Sequence, residues 1–174
     1  MARIGFDIGS RNLSWCVRWP KSDAVTEWCL CDLVAGTYVT LHQTAEAFQA
    51  AGKKPTIQTL CASIVVHLNL CFPNTSLVEG VVIEAQLGRV NTTAKVLSHA
   101  VQTYFLTRGV AHDKITFRRP FSATLDKKMA YKKRKQAAIE QTKQSAIGDE
   151  AAKWWLQQKK LDDLADSYLL LRDP

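Results

Sequence analysis

Four carboxylates stand where the hydrophobic pattern would otherwise be continuous. Asp7 interrupts "GFDIGSRNLSWCV", Glu84 ends "VVIEA", and Asp163 and Asp166 lie three apart in "KKLDDLADSYLL". An isolated carboxylate in an apolar surrounding is costly unless a cation or hydrogen-bond donors compensate it. Several of them cannot converge ionised, because like charges a few Å apart repel. A set of hard oxygen ligands with room for water and a phosphate is the usual way to hold Mg²⁺ or Mn²⁺. Two such ions about 4 Å apart would clamp the attacking water and the leaving oxygen of a phosphodiester in line. Taken singly, each carboxylate also has a plainer reading. Asp7 suits a turn in "DIGS", Glu84 could pair with a base such as Arg89, and "DDLAD" is an ordinary acidic helix start. On a helical wheel Asp162 and Asp166 lie closer than Asp163 to the apolar face of Leu161, Leu164, Ala165, Tyr168 and Leu169.

The elements that must position these groups follow from periodicity and turn signals. Strands are expected over residues 2–8, 12–19 and 25–34, joined through "GSRN" and "PKSD" as an antiparallel meander. A helix entered through Pro55 spans 55–72, with Ile57, Leu60, Ile64, His67, Leu68 and Cys71 at helical spacing. The Val-rich run 77–85 is a buried strand that ends at Glu84, and 91–109 is a helix closed by Gly109. A short strand "KITFRR" follows, then helices over 129–146, 149–158 and about 161–172. This order implies an α/β domain, a mixed sheet flanked by helices, with right-handed parallel crossovers around the Glu84 strand. If the first and fourth strands are parallel neighbours, Asp7 and Glu84 emerge at one sheet edge, where the last helix can deliver its two Asp residues.

At 174 residues the chain fits a single domain. It has no apolar run of transmembrane length and no signal-peptide core near its start, so an intracellular location and no membrane partner are expected. The five cysteines (Cys16, Cys29, Cys31, Cys61, Cys71) form neither CxxC pairs nor a Cys/His zinc pattern, and read as buried free thiols. "CLC" has strand spacing and points Cys29 and Cys31 to one face. His67 and His99 read as structural histidines on apolar helix faces, and Trp154 and Trp155 as packing residues rather than a base-stacking platform.

The net charge of +7 is concentrated. Between Asp126 and Lys143, seven basic residues (Lys127, Lys128, Lys132, Lys133, Arg134, Lys135, Lys143) stand against two acidic ones, a local excess of +5. Such a patch suits a polyphosphate partner, with a solvated helix face as the alternative.

Jointly, "FDIGSRNLSWCV", "VVIEAQLGRVN" and "KKLDDLADSYLL" resemble the RuvC-type Holliday junction resolvases of the ribonuclease H-like superfamily, in the branch of the poxvirus and fungal mitochondrial enzymes. The three motifs occur in the family's order across nearly the whole chain; Leu161 between "KK" and "DD" departs from the family's pattern. The resemblance implies a ribonuclease H-like mixed five-stranded sheet with flanking helices. It implies Asp7, Glu84, Asp163 and Asp166 as metal ligands and catalytic residues, with Asp162 an accessory charge. It implies two Mg²⁺ or Mn²⁺ ions per site, a homodimer, and paired nicks in opposed strands of a four-way DNA junction. A viral protein in its host cell, or an organellar one, would suit it.

A junction nuclease needs phosphate contacts more than base contacts, since shape identifies the substrate. "DKKMAYKKRKQAA" supplies Lys127, Lys128, Lys132, Lys133, Arg134 and Lys135, while Gln86, Arg89 and Asn91 follow Glu84 closely enough to touch DNA beside it. Asn91 equally suits a helix cap. Lys128, Lys132 and Lys135 are candidates to stabilise charge on the transferring phosphate. Ribonuclease H activity on RNA–DNA hybrids and a non-catalytic basic DNA-binding module are the alternatives; an actin-like kinase, suggested by "DIGSRN", has no room for its second domain.

Overall fold

The computed structural model describes residues 1–19, 24–43, 46–86, 91–121, 125, 129–145 and 148–172. Its centre is a mixed sheet of strands β1 (Ala2–Asp7), β2 (Leu13–Arg18), β3 (Val25–Asp32), β4 (Thr37–Thr40), β5 (Glu46–Ala47), β6 (Val78–Glu84) and β7 (Ile115–Arg118). The order across the sheet is β5-β4-β3-β2-β1-β6-β7. The first five strands form an antiparallel run, and β1, β6 and β7 are parallel.

The expected five strands are all present, but among the described residues the sheet has seven. The addition is an edge extension, β4 and the two-residue β5, folded back on β3 at Gly36, whose φ of +69° suits glycine. Strands this short leave little periodic signal in a sequence.

Helices cover both faces of the sheet. On one face lie α1 (Ile57–Cys71) and α2 (Thr92–Thr107). Thr56 caps α1 by accepting from the Thr59 N–H, and Asn91 caps α2 by accepting from the Ala94 N–H. Ile4, Phe6, Trp15, Cys29, Cys31, Val81 and Ile83 point into this first core. The alternate residues Cys16, Trp28 and Val82 point the other way, into a second core with α3 (Tyr131–Lys143), α4 (Asp149–Leu156) and α5 (Leu161–Leu169). Trp155 stacks on Trp28 with ring centroids 5.8 Å apart, so the tryptophan pair of α4 serves packing. The cysteines are free thiols; Cys16, Cys29 and Cys31 are buried, while Cys61 and Cys71 are only half-buried. His67 is fully buried and accepts a 3.0 Å hydrogen bond from Trp15 Nε1. His99, expected on an apolar face, is exposed and lies 3.2 Å from Gln102 Oε1.

Candidate active site

The two-residue period of β1 and β6 decides where their carboxylates go. Phe6 and Ile83 face the first core, so Asp7 and Glu84, the next residue on each strand, face α5. Phe6 lies opposite Ile83 in the parallel pair, which brings Asp7 and Glu84 side by side where both strands end. Gln86 Nε2 donates to Glu84 Oε2 at 2.8 Å and so ties the Glu84 carboxylate down.

Helix α5 is fixed over this edge by hydrogen bonds from the sheet. Ser14 Oγ donates to the Asp163 carbonyl at 2.7 Å, and Trp28 Nε1 donates to the Leu164 carbonyl at 3.1 Å. Asp166 is 2% exposed, and the Asp163 side chain is more deeply placed than that of Asp162, 15% against 31%. The wheel reading that put Asp162 nearer the interior is thereby corrected. Helix α5 is covered by α3 as well as by the sheet, so its buried arc is wide enough to include Asp163.

Three neighbouring carboxylates act on Asp7. Burial pushes the Asp7 carboxyl well above its ordinary value; its side-chain hydrogen bond to Glu84 and the charges of Glu84, Asp166 and Asp163 push the same way. Burial also raises Asp163, to about 6, with Asp162 adding to the effect and Lys135 opposing it. Asp166 is raised by burial against the pull of Lys135.

Lys135 enters from α3. Its Nζ lies 2.7 Å from Asp166 Oδ2, 3.6 Å from Asp162 Oδ2 and 3.8 Å from Asp163 Oδ1. Burial disfavours its charge, but Asp166, the hydrogen bond to it and Asp7 outweigh that and hold the ammonium protonated. Of the three candidate lysines, Lys135 is at the cluster, Lys132 is exposed on the outer side of α3, and Lys128 lies outside the described residues. The signal was present in the sequence: Lys135, Ala138 and Thr142 fall on one helical stripe, and the last two are buried.

Other expected residues divide. Lys132 and Lys133 are exposed and Arg134 is half-buried. Asn91 is occupied as the cap of α2. Arg89 and Lys127 lie outside the described residues.

The donor set suits a hard divalent cation. It is all oxygen, and Asp163 Oδ2 and Asp166 Oδ1 are buried without a hydrogen-bond partner, an unmet demand for positive charge. Among the described residues no three His, Cys, Asp or Glu side chains form a group that could hold a metal ion as they stand. No helix among those residues is long and apolar enough to cross a membrane.

No family model and no curated protein matches the chain. Solved structures do match. The fowlpox virus resolvase, solved in complex with its substrate Holliday junction DNA, gives a TM-score of 0.59 at 19% identity, covering 98% of this chain and 93% of that one. The yeast mitochondrial Holliday junction resolvase Ydc2 gives 0.55 at 18% identity, over 97% of this chain and 76% of that one. Thermus thermophilus RuvC gives 0.50 at 14% identity, over 98% and 92%. The chain thus has the fold of these proteins, the α/β class expected from its motifs.

Proposed function

We propose that the chain is a structure-selective endonuclease that resolves four-way DNA junctions by metal-dependent phosphodiester hydrolysis, acting as a homodimer with one cut per subunit. The observation that carries this reading is the meeting of Asp7, Glu84, Asp163 and Asp166 at one sheet edge. The fold is one shared with a resolvase solved on its junction substrate.

Asp7, Glu84, Asp163 and Asp166 would hold Mg²⁺ or Mn²⁺, two ions per site. When bound, the ions supply an activated water and a positive clamp on the scissile phosphate. The chain's own residues do the rest. Gln86 orients Glu84, Ser14 fixes the α5 backbone at Asp163, and Lys135 brings an ammonium within reach of charge developing on the phosphate. Exposed Lys132 and Lys133, with Arg134 beside them, bind the DNA backbone, as would Lys127, Lys128 and Arg89. Gln86, at Glu84, and Asn91, at the start of α2, would add polar contacts to the DNA. Water attack on the phosphate leaves a 5′-phosphate and a 3′-hydroxyl, nicks that a ligase can seal. A protein of this kind works wherever branched DNA is made, in a virus-infected cell or an organelle.

The test is Asp7→Asn on a labelled immobile four-way junction. The variant should bind the junction as the wild type does and cut it at least about a hundredfold more slowly in Mg²⁺. Cutting at the normal rate would show that Asp7 is not in the site.

A further inference from the structure

The acidic cluster is built around a cation belonging to the chain itself. Lys135 Nζ approaches three carboxylates, at 2.7 Å from Asp166, 3.6 Å from Asp162 and 3.8 Å from Asp163. Its placement is fixed by packing, because Ala138 and Thr142 on the same stripe of α3 are fully buried. One ammonium is too little for this cluster. Asp163 Oδ2 and Asp166 Oδ1 remain buried and unpartnered, although the Asp166 side chain is only 3% exposed. Buried acceptors in that state are costly, and a cation of higher charge would satisfy them.

We propose that Lys135 is an internal counter-ion of the metal site, which an incoming divalent cation must displace, so that this side chain sets the site's metal affinity. The inference rests on the proposed metal-dependent function and adds what occupies the site before metal arrives. A divalent cation held by the unpartnered Asp163 Oδ2 and Asp166 Oδ1 would sit on the same two carboxylates as the Lys135 ammonium, which lies 2.7 Å from Asp166 Oδ2 and 3.8 Å from Asp163 Oδ1, and would repel it. The tethered ammonium keeps the carboxylates from repelling one another in the metal-free chain. It therefore stabilises the empty site and weakens metal binding by the same interaction.

The test is calorimetric titration of Mn²⁺, without DNA, into metal-stripped wild type, Lys135→Met and Lys135→Arg, with thermal unfolding in EDTA and in saturating Mn²⁺. Lys135→Met should bind Mn²⁺ about tenfold more tightly. It should unfold below the wild type in EDTA, and the difference should close in Mn²⁺. Lys135→Arg, which keeps a cation, should bind as weakly as the wild type. If Lys135→Met is unfolded without metal, its refolding on added Mn²⁺ supports the proposal and its failure to refold overturns it. An unchanged or weaker affinity for Mn²⁺ in Lys135→Met, or an unfolding deficit that Mn²⁺ leaves in place, also overturns it. Wild type that binds no Mn²⁺ would overturn the functional reading together with this one; wild type that binds and cuts, beside a Lys135→Met of equal affinity, would overturn this inference alone.

Discussion

Gly5 of β1 lies directly against the Ser167 carbonyl oxygen of α5, so close that a Cβ at residue 5 would overlap it and press on Leu171. Gly5 and Asp7 share one face of β1, and Ser167 follows Asp166 on the helix. The missing side chain therefore sets the height at which the helix carries Asp166 over Asp7. Gly5→Ala should push α5 off the sheet and cost about 1–3 kcal/mol by overpacking. Thermal unfolding checks this, and an unchanged midpoint would mean that the helix is not held at that height.

Asp7→Asn should make the metal-free protein more stable while removing its cutting activity. Burial and three neighbouring carboxylates push the Asp7 carboxyl well above its ordinary value, so the ionised form is disfavoured in the fold. A neutral amide removes that repulsion, and the unfolding midpoint in EDTA should rise by a few degrees. A fall in the midpoint would show that the carboxyl makes a net stabilising contact there.

Lys132→Ala combined with Lys133→Ala should weaken junction binding most at low salt. Both side chains are exposed on α3. Each phosphate contact contributes about 0.9 to the slope of log affinity against log salt, so the slope should fall by about 2. Binding isotherms from low to physiological salt measure it, and an unaltered slope would remove this helix from the DNA interface.

His67 should make stability fall in mild acid. Burial lowers its imidazole to about 4, and its Nε2 must stay unprotonated to accept from Trp15 Nε1. The unfolded chain takes up the proton near 6.5. Stability from this group is therefore complete above about 6.5 and is lost as pH falls towards 4, by about 3 kcal/mol in all. His67→Gln, which still accepts from the indole but does not titrate, should flatten that part of the profile. A profile identical to the wild type would assign the acid sensitivity elsewhere.

The placement of Asp7 and Glu84 in the candidate site was legible in the sequence, for definite reasons. Asp7 and Glu84 end apolar runs, and strand alternation alone puts each on the face opposite Phe6 and Ile83. That β1 and β6 are neighbours was an assumption about topology, which the register of Phe6 against Ile83 bears out. Less legible was the choice between Asp162 and Asp163, because a helical wheel assumes one buried face, and α5 is covered by both the sheet and α3. Lys135 could not be separated from Lys132 until α3 was oriented, although the small buried residues Ala138 and Thr142 marked its inner stripe. The edge strands β4 and β5 were not foreseen, since four and two residues carry almost no alternation to read. Gln86 was read only as a candidate DNA contact; that its amide also holds Glu84 was not foreseen.

The most direct measurement incubates the purified protein with a labelled immobile four-way junction, a linear duplex and an RNA–DNA hybrid, each with and without Mg²⁺. The account predicts paired, symmetric nicks in the junction alone, and only with metal. Preferential cutting of the hybrid, or junction binding with no cutting at any metal concentration, would contradict it.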